Sequence, residues 1–158
     1  FADKLTDDLK RQINITDDWE SCILDADIVV EASRLSKPEP LLKTDWIKKG
    51  ALVIPYGTMS ALEFSLPDIM DKFVMDDWGQ AHGIFGALRE HIDKGKITFE
   101  TLHAELGEIV CGLKKGREAN DENILFWHRG LSLSDIALGH KILSKAKEIG
   151  VGQKLRFA

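Results

Sequence analysis

The sequence predicts an open α/β fold, a mainly parallel sheet with helices on both faces, and three observations lead there. Four short apolar runs are rich in the β-branched and aromatic residues of buried strands. Two of them, "DIVV" and "ALVI", lack the alternation of a half-exposed strand, so both of their faces should be covered. Segments with helical spacing separate the runs, and that alternation implies parallel strands joined by right-handed crossovers.

The elements follow in order. "FADKLTDDLKRQINIT" opens without methionine and reads as a helix already under way, so the chain is expected to be the C-terminal part of something longer. "TDDWESCILDA" has a Thr/Asp cap and sets Trp19, Cys22, Ile23 and Leu24 toward one side. The first strand is "ADIVVEAS", Ala26 to Ser33. "PLLKTDWIKKG" reads as a helix with a basic last turn and Gly50 as its C-terminal stop. The second strand, "GALVIPYG", leads to a short helix "SLPDIMDK" with Pro67 in its first turn.

"KFVMDDW", Lys72 to Trp78, is the third strand. Two helices are expected next. "GQAHGIFGALREHIDKG" carries Ile84, Leu88 and Ile92 at a spacing of four, and "TFETLHAELGEIVCGLKKG" carries Leu102, Leu106, Ile109 and Val110. The last strand is "NILFWH", Asn123 to His128. The final helix, "LSLSDIALGHKILSKAKEIG", has an apolar stripe of Ile136, Leu143, Ala146 and Ile149 and ends at Gly150. Ser132 and Asp135 have capping-box spacing, with Ser132 expected as the N-cap.

The totals bound the partners. The 158 residues are 44% hydrophobic and 30% charged, enough for a real core in a soluble unit, and the formal charge is −5. No run of Lys and Arg interleaves with aromatics, which argues against nucleic acid. No apolar run approaches the ~20 residues of a membrane span. Cys22 and Cys111 lie far apart in apolar contexts and are expected to be reduced core thiols of a cytoplasmic protein. There is no C-x-x-C, H-E-x-x-H, P-loop, G-x-S-x-G or G-x-G-x-x-G string, so no metal is expected.

The strand ends carry the functional candidates, because open α/β sheets bind ligands outside the carboxyl ends of their strands. Those ends read "EASRLSKPEP", "PYGTMSALE", "DDWGQAHG" and "WHRGLSLSD". Ser33 and Arg34 could lie beside a ribose or pyrophosphate; a solvated arginine is the structural alternative. Asp76, Asp77 and Trp78 could wall a site, with Trp78 stacking on a flat ring or merely packing the rim. His82 could transfer a proton or serve structure alone. Arg129 adds a full charge just before a helix start worth about half a positive unit, and Gly130 allows close backbone approach. Together they favour an anionic or amide-bearing group.

With these ends in order, the chain resembles the ornithine cyclodeaminase/mu-crystallin family. The stretches that carry the resemblance are "DADIVVEAS", "KKGALVIPYGTMSALEF", "DDWGQAHG", "LGEIVCGLKKGREANDENILFWHRGLSLSDIAL" and "AKEIGVG". The resemblance implies a Rossmann-like, doubly wound domain that binds NAD or NADP, with its Gly-rich turn upstream of this chain. Residues 1–128 would be the second part of that domain. Residues 129–158 would form a C-terminal helix and tail joining a substrate and dimerisation domain built with the upstream remainder of the chain, in a homodimer. It further implies an amino acid, amine or imine substrate and a cofactor lying along Ser33, Arg34, Gly57, Thr58, Trp78, Arg129, Gly130 and Leu131.

Two departures matter. The family's catalytic aspartate, just after the glycine that ends the second strand here, is replaced by Thr58, which can hydrogen-bond but cannot act as a carboxylate base. The family's aspartate-serine-valine run before the final helix is replaced by Trp127-His128-Arg129-Gly130. Both argue against ornithine cyclisation. The catalytic set then becomes Thr58 as a hydrogen-bonding group, Arg129 as the anion clamp, and His82 or His128 as the proton carrier. The reading is an oxidoreductase or deaminase; the alternative is a binding protein or accessory subunit without efficient turnover.

Overall fold

The computed structural model describes residues 1–33, 35–56, 61–79 and 87–156. Among them, five strands form one parallel sheet: β1 (Ile28–Glu31), β2 (Leu52–Pro55), β3 (Lys72–Met75), β4 (Leu102–Glu105) and β5 (Ile124–Trp127). Their spatial order is β1-β2-β5-β3-β4. The last strand in sequence is therefore inserted at the centre, between β2 and β3, with β1 and β4 as the outer strands. No helix among the described residues is long and apolar enough to cross a membrane.

The core explains this order. Val53, Leu125, Met75 and Trp127 are buried where the central strands meet, and Ile23, Leu42, Leu62, Leu66 and Ile97 pack against them from the connections. β3 is buried along its whole length, as a fully covered strand should be. The expectation of cover on both faces fails for β1. Val29 and Glu31 are buried, whereas Ile28 and Val30 are 61% and 59% exposed. The helix α2 (Trp19–Ile23) sends Ile23 into the same apolar cluster as Val29, and nothing among the described residues covers the Ile28 and Val30 side.

Local signals set several elements as expected. Helix α1 spans Ala2–Leu9. Asp18 caps α2, its carboxylate accepting the Ser21 N–H at 2.7 Å. Pro67 lies in the first turn of the short 3-10 segment Leu66–Ile69.

Tertiary contacts overrode other local signals. The predicted helix over "PLLKTDWIKKG" is reduced to a 3-10 turn at Thr44–Trp46. Leu42 instead makes a parallel bridge with Leu62, and the Thr44 N–H donates to Glu63 Oε2 at 2.8 Å. The segment predicted as one helix from Thr98 splits into β4 and the short helix α4 (Leu106–Val110). Leu102, Ala104 and Glu105 find register with Phe73, Val74 and Met75 of β3, and pairing on an existing sheet edge outweighs the leucine spacing.

The expected helix before β4 is described as α3 (Ala87–Asp93); its predicted Ile84 lies outside the described residues. Cys22 and Cys111 are exposed free thiols, not core residues, because each falls on the outward side of a short helix or its cap.

The final helix, α5 (Ser132–Glu148), buries none of its residues. Its predicted stripe is therefore unburied, with Ile136, Leu143 and Ile149 all more than half exposed.

A charge cluster pins the amino end of β3. Lys72 is buried, and its Nζ donates to the Gly116 carbonyl at 2.6 Å and to the carboxylates of Glu118 and Glu122 at 3.0 and 3.2 Å. Burial disfavours its charge, but the two carboxylates outweigh that and raise its pKa above the ordinary value. The Glu118 backbone N–H, followed by Lys72, pulls Glu122 down to about 2. This cluster fastens the 116–122 segment beneath the sheet, at the opposite end of β3 from the residues described next.

Candidate active site

The carboxyl ends of all five strands lie along one rim, and β5 ends at its centre. Met75 pairs in register with Trp127, so the next residues, Asp76 and His128, leave the sheet side by side. On the other flank Tyr56 bridges to His128, whose N–H donates to the Pro55 carbonyl at 3.1 Å. His128 is therefore held by both neighbouring strands before its side chain makes any contact.

Asp76 organises the centre of the rim. It is 7% exposed, and both of its oxygens are used. Oδ1 lies 2.9 Å from His128 Nδ1, while Oδ2 accepts the backbone N–H groups of Arg129 and Gly130 at 2.7 and 2.8 Å. A buried carboxylate without partners would be costly; three hydrogen bonds make this one tenable. The His128 ring also touches two aromatic rings, its centroid 5.1 Å from that of Tyr56 and 5.6 Å from that of Phe126. Its side chain remains 35% exposed.

The same device recurs along the rim. Glu31, at the end of β1, accepts the Ser33 N–H at 2.7 Å and also binds the Ser33 hydroxyl. Glu105, at the end of β4, accepts the Trp78 N–H at 2.8 Å. Each carboxylate turns back a loop leaving the sheet.

The predicted residues fall into three groups. His128, Arg129, Gly130 and Leu131 come together at the end of β5. Ser33 lies at the β1 end, tied to Glu31, and Trp78 lies on the β4 side, its ring centroid 6.0 Å from Phe99. Arg34, Gly57, Thr58 and His82 lie outside the described residues.

Several local expectations change. Trp127, at 1% exposure, belongs to the core and not to the polar strand end that it opens. The close backbone approach expected at Gly130 goes to Asp76, which accepts the Arg129 and Gly130 N–H groups, and the Arg129 side chain is exposed. Gly130 is needed for its φ of +93°, which closes the turn one residue early. Leu131 thus takes the N-cap position, Ser132 becomes the first helical residue, and no side chain caps α5. Sequence reasoning gave Asp76 only a place in a site wall. Its one signal was an acidic pair directly after the apolar run Phe73–Met75.

Known proteins share this chain's sequence pattern and fold. The family model for the ornithine cyclodeaminase/mu-crystallin family matches residues 1–150. An alanine dehydrogenase from Archaeoglobus fulgidus is 33% identical over 123 residues, covering 75% of this chain and 38% of its own length. The Thermococcus litoralis Δ1-pyrroline-2-carboxylate reductase, solved with NADH and L-proline, superposes with a TM-score of 0.80 at 29% identity, over 98% of this chain and 48% of its own. An archaeal alanine dehydrogenase dimer with bound NAD gives a TM-score of 0.77 at 26% identity, over 98% of this chain and 48% of its own. The chain thus spans about half the length of these solved structures, and less of the curated relative.

Proposed function

Because the chain belongs to the ornithine cyclodeaminase/mu-crystallin family, we propose that the full-length protein is an NAD(P)-dependent oxidoreductase acting at the nitrogen-bearing carbon of an amino acid, amine or imine. The observation that carries this reading is the central position of His128, held by Asp76 between the ends of β2 and β3 on the one rim where all five strands finish. The relatives, an alanine dehydrogenase and a cyclic-imine reductase, support the reaction class.

The rim suits a dinucleotide. The acidic residues Glu31, Asp76 and Glu105 all turn toward loop N–H groups, while the exposed Arg129 and a helix start without a side-chain cap favour a negative or amide-bearing group. When bound, a nicotinamide supplies or accepts the hydride. The protein's own contribution is position: Arg129 orients an anionic group, Ser33 offers a hydroxyl near a ribose, and Arg34, Gly57 and Thr58 complete the polar edge in this reading. Trp78, which packs beside Phe99, borders the same rim at β4.

The wider organisation belongs to the same proposal. Residues 129–158 join a second domain, which the unburied apolar residues of α5 support, and the protein is a homodimer, as the archaeal alanine dehydrogenase is a dimer. Two exposed free thiols fit a reducing, cytoplasmic setting. A cyclodeaminase would instead return the hydride and release ammonia.

The test is the absorbance of the reduced nicotinamide. Full-length protein is mixed with NADH or NADPH and Δ1-pyrroline-2-carboxylate, and separately with NAD+ or NADP+ and L-alanine or L-proline. Sustained turnover is expected. A bound-cofactor spectrum with no turnover on any of them would sink the enzyme reading in favour of a binding protein.

A further inference from the structure

We propose that Asp76 and His128 form a proton-transfer pair, with Asp76 the positioning residue and His128 Nε2 the atom that exchanges a proton with the substrate nitrogen. This rests on the oxidoreductase reading and adds the residues that handle its proton.

An ionised carboxylate only accepts hydrogen bonds, so the 2.9 Å contact to Asp76 Oδ1 requires the hydrogen on His128 Nδ1. Nε2 then carries the lone pair. Among the described residues it has no hydrogen-bond partner, and the ring is 35% exposed at the centre of the rim. Tyr56 and Phe126 limit tilting of the ring. Asp76 is buried, so water screens it little, and its carboxylate can stabilise an imidazolium formed when Nε2 takes a proton.

The balance is complete with a nicotinamide dinucleotide as co-reactant. In the oxidative direction a hydride leaves the substrate carbon with two electrons, the nitrogen lone pair forms the C=N bond, and the N–H proton passes to Nε2. In the reductive direction the imidazolium returns that proton to nitrogen as hydride adds to carbon.

A loop staple would need Asp76 only for the N–H groups of Arg129 and Gly130, and Asp76→Asn separates the two roles. Its carbonyl can still accept those N–H groups, but its NH2 then faces His128 and forces the ring hydrogen onto Nε2. Long-range proton–nitrogen correlation spectra of the full chain should show Nδ1–H in the wild type and Nε2–H in Asp76→Asn, with nearly equal melting temperatures. In imine reduction, kcat should fall on the order of 10²–10⁴-fold with KM little changed. His128→Asn should lose a similar factor, and the double variant little more.

A wild-type ring protonated on Nε2 overturns the pair even in an active enzyme. So does an Asp76→Asn variant that keeps its kcat. A wild type with the expected tautomer but no turnover of any amino acid or imine refutes the oxidoreductase reading, and the proton-transfer role with it.

Discussion

Gly50→Ala should cost far more stability than an ordinary glycine replacement, and the structure allows the amount to be worked out. Gly50 has φ +82°, and a Cβ there would sit 2.3 Å from the backbone oxygen of Asn120. The left-handed conformation alone costs a non-glycine residue about 1–2 kcal/mol. The contact is with backbone, so the 120–123 segment must also move. That segment is tied by the Gly50 N–H to Asn123 Oδ1 and the Asn123 N–H to Asp71 Oδ2, both at 2.7 Å. Losing one such bond adds about 0.5–1.5 kcal/mol, for a total of roughly 1.5–3.5 kcal/mol. At about 2–4 °C per kcal/mol for a domain of this size, the melting temperature should fall by roughly 3–14 °C. Gly130→Ala is the control, since its φ is +93° but nothing lies within 4 Å of the added Cβ. Urea unfolding of both variants, with unchanged slope, measures the difference. Equal losses at the two positions would refute the steric argument.

Other outcomes follow from the same structure. Arg129→Ala removes an exposed side chain, so stability should change by less than about 0.5 kcal/mol. KM for a carboxylate-bearing substrate should nevertheless rise by roughly 10- to 100-fold, the equivalent of one charged hydrogen bond; steady-state kinetics beside a thermal melt checks both. Trp127→Ala empties a fully buried site and should cost about 3–5 kcal/mol in urea unfolding. The Glu122 carboxyl titrates near 2 when folded against an ordinary 4.5, because the Glu118 N–H and Lys72 hold it ionised. Its contribution is therefore complete above pH 4.5 and lost as pH falls toward 2. Glu122→Gln should flatten the fall of the urea midpoint across that window.

Much of this protein was determined by the sequence alone. The runs that became β1, β2, β3 and β5 each carry at least three apolar residues in a row, the Asp18 cap and Pro67 act within one turn, and the ordered strand-end stretches mark the family. These signals are local, because strand composition and capping are read within a few residues of one another. Tertiary structure decided the rest. Leu102–Glu105 became a strand because β3 offered an edge, and "PLLKTDWIKKG" lost its helix to contacts with Leu62 and Glu63. Arg34, Thr58 and His82 remain sequence expectations. Above all, Asp76 reaches His128 across 52 residues only because β5 inserts beside β3, and strand order is set by how whole elements share a core, which no local periodicity encodes.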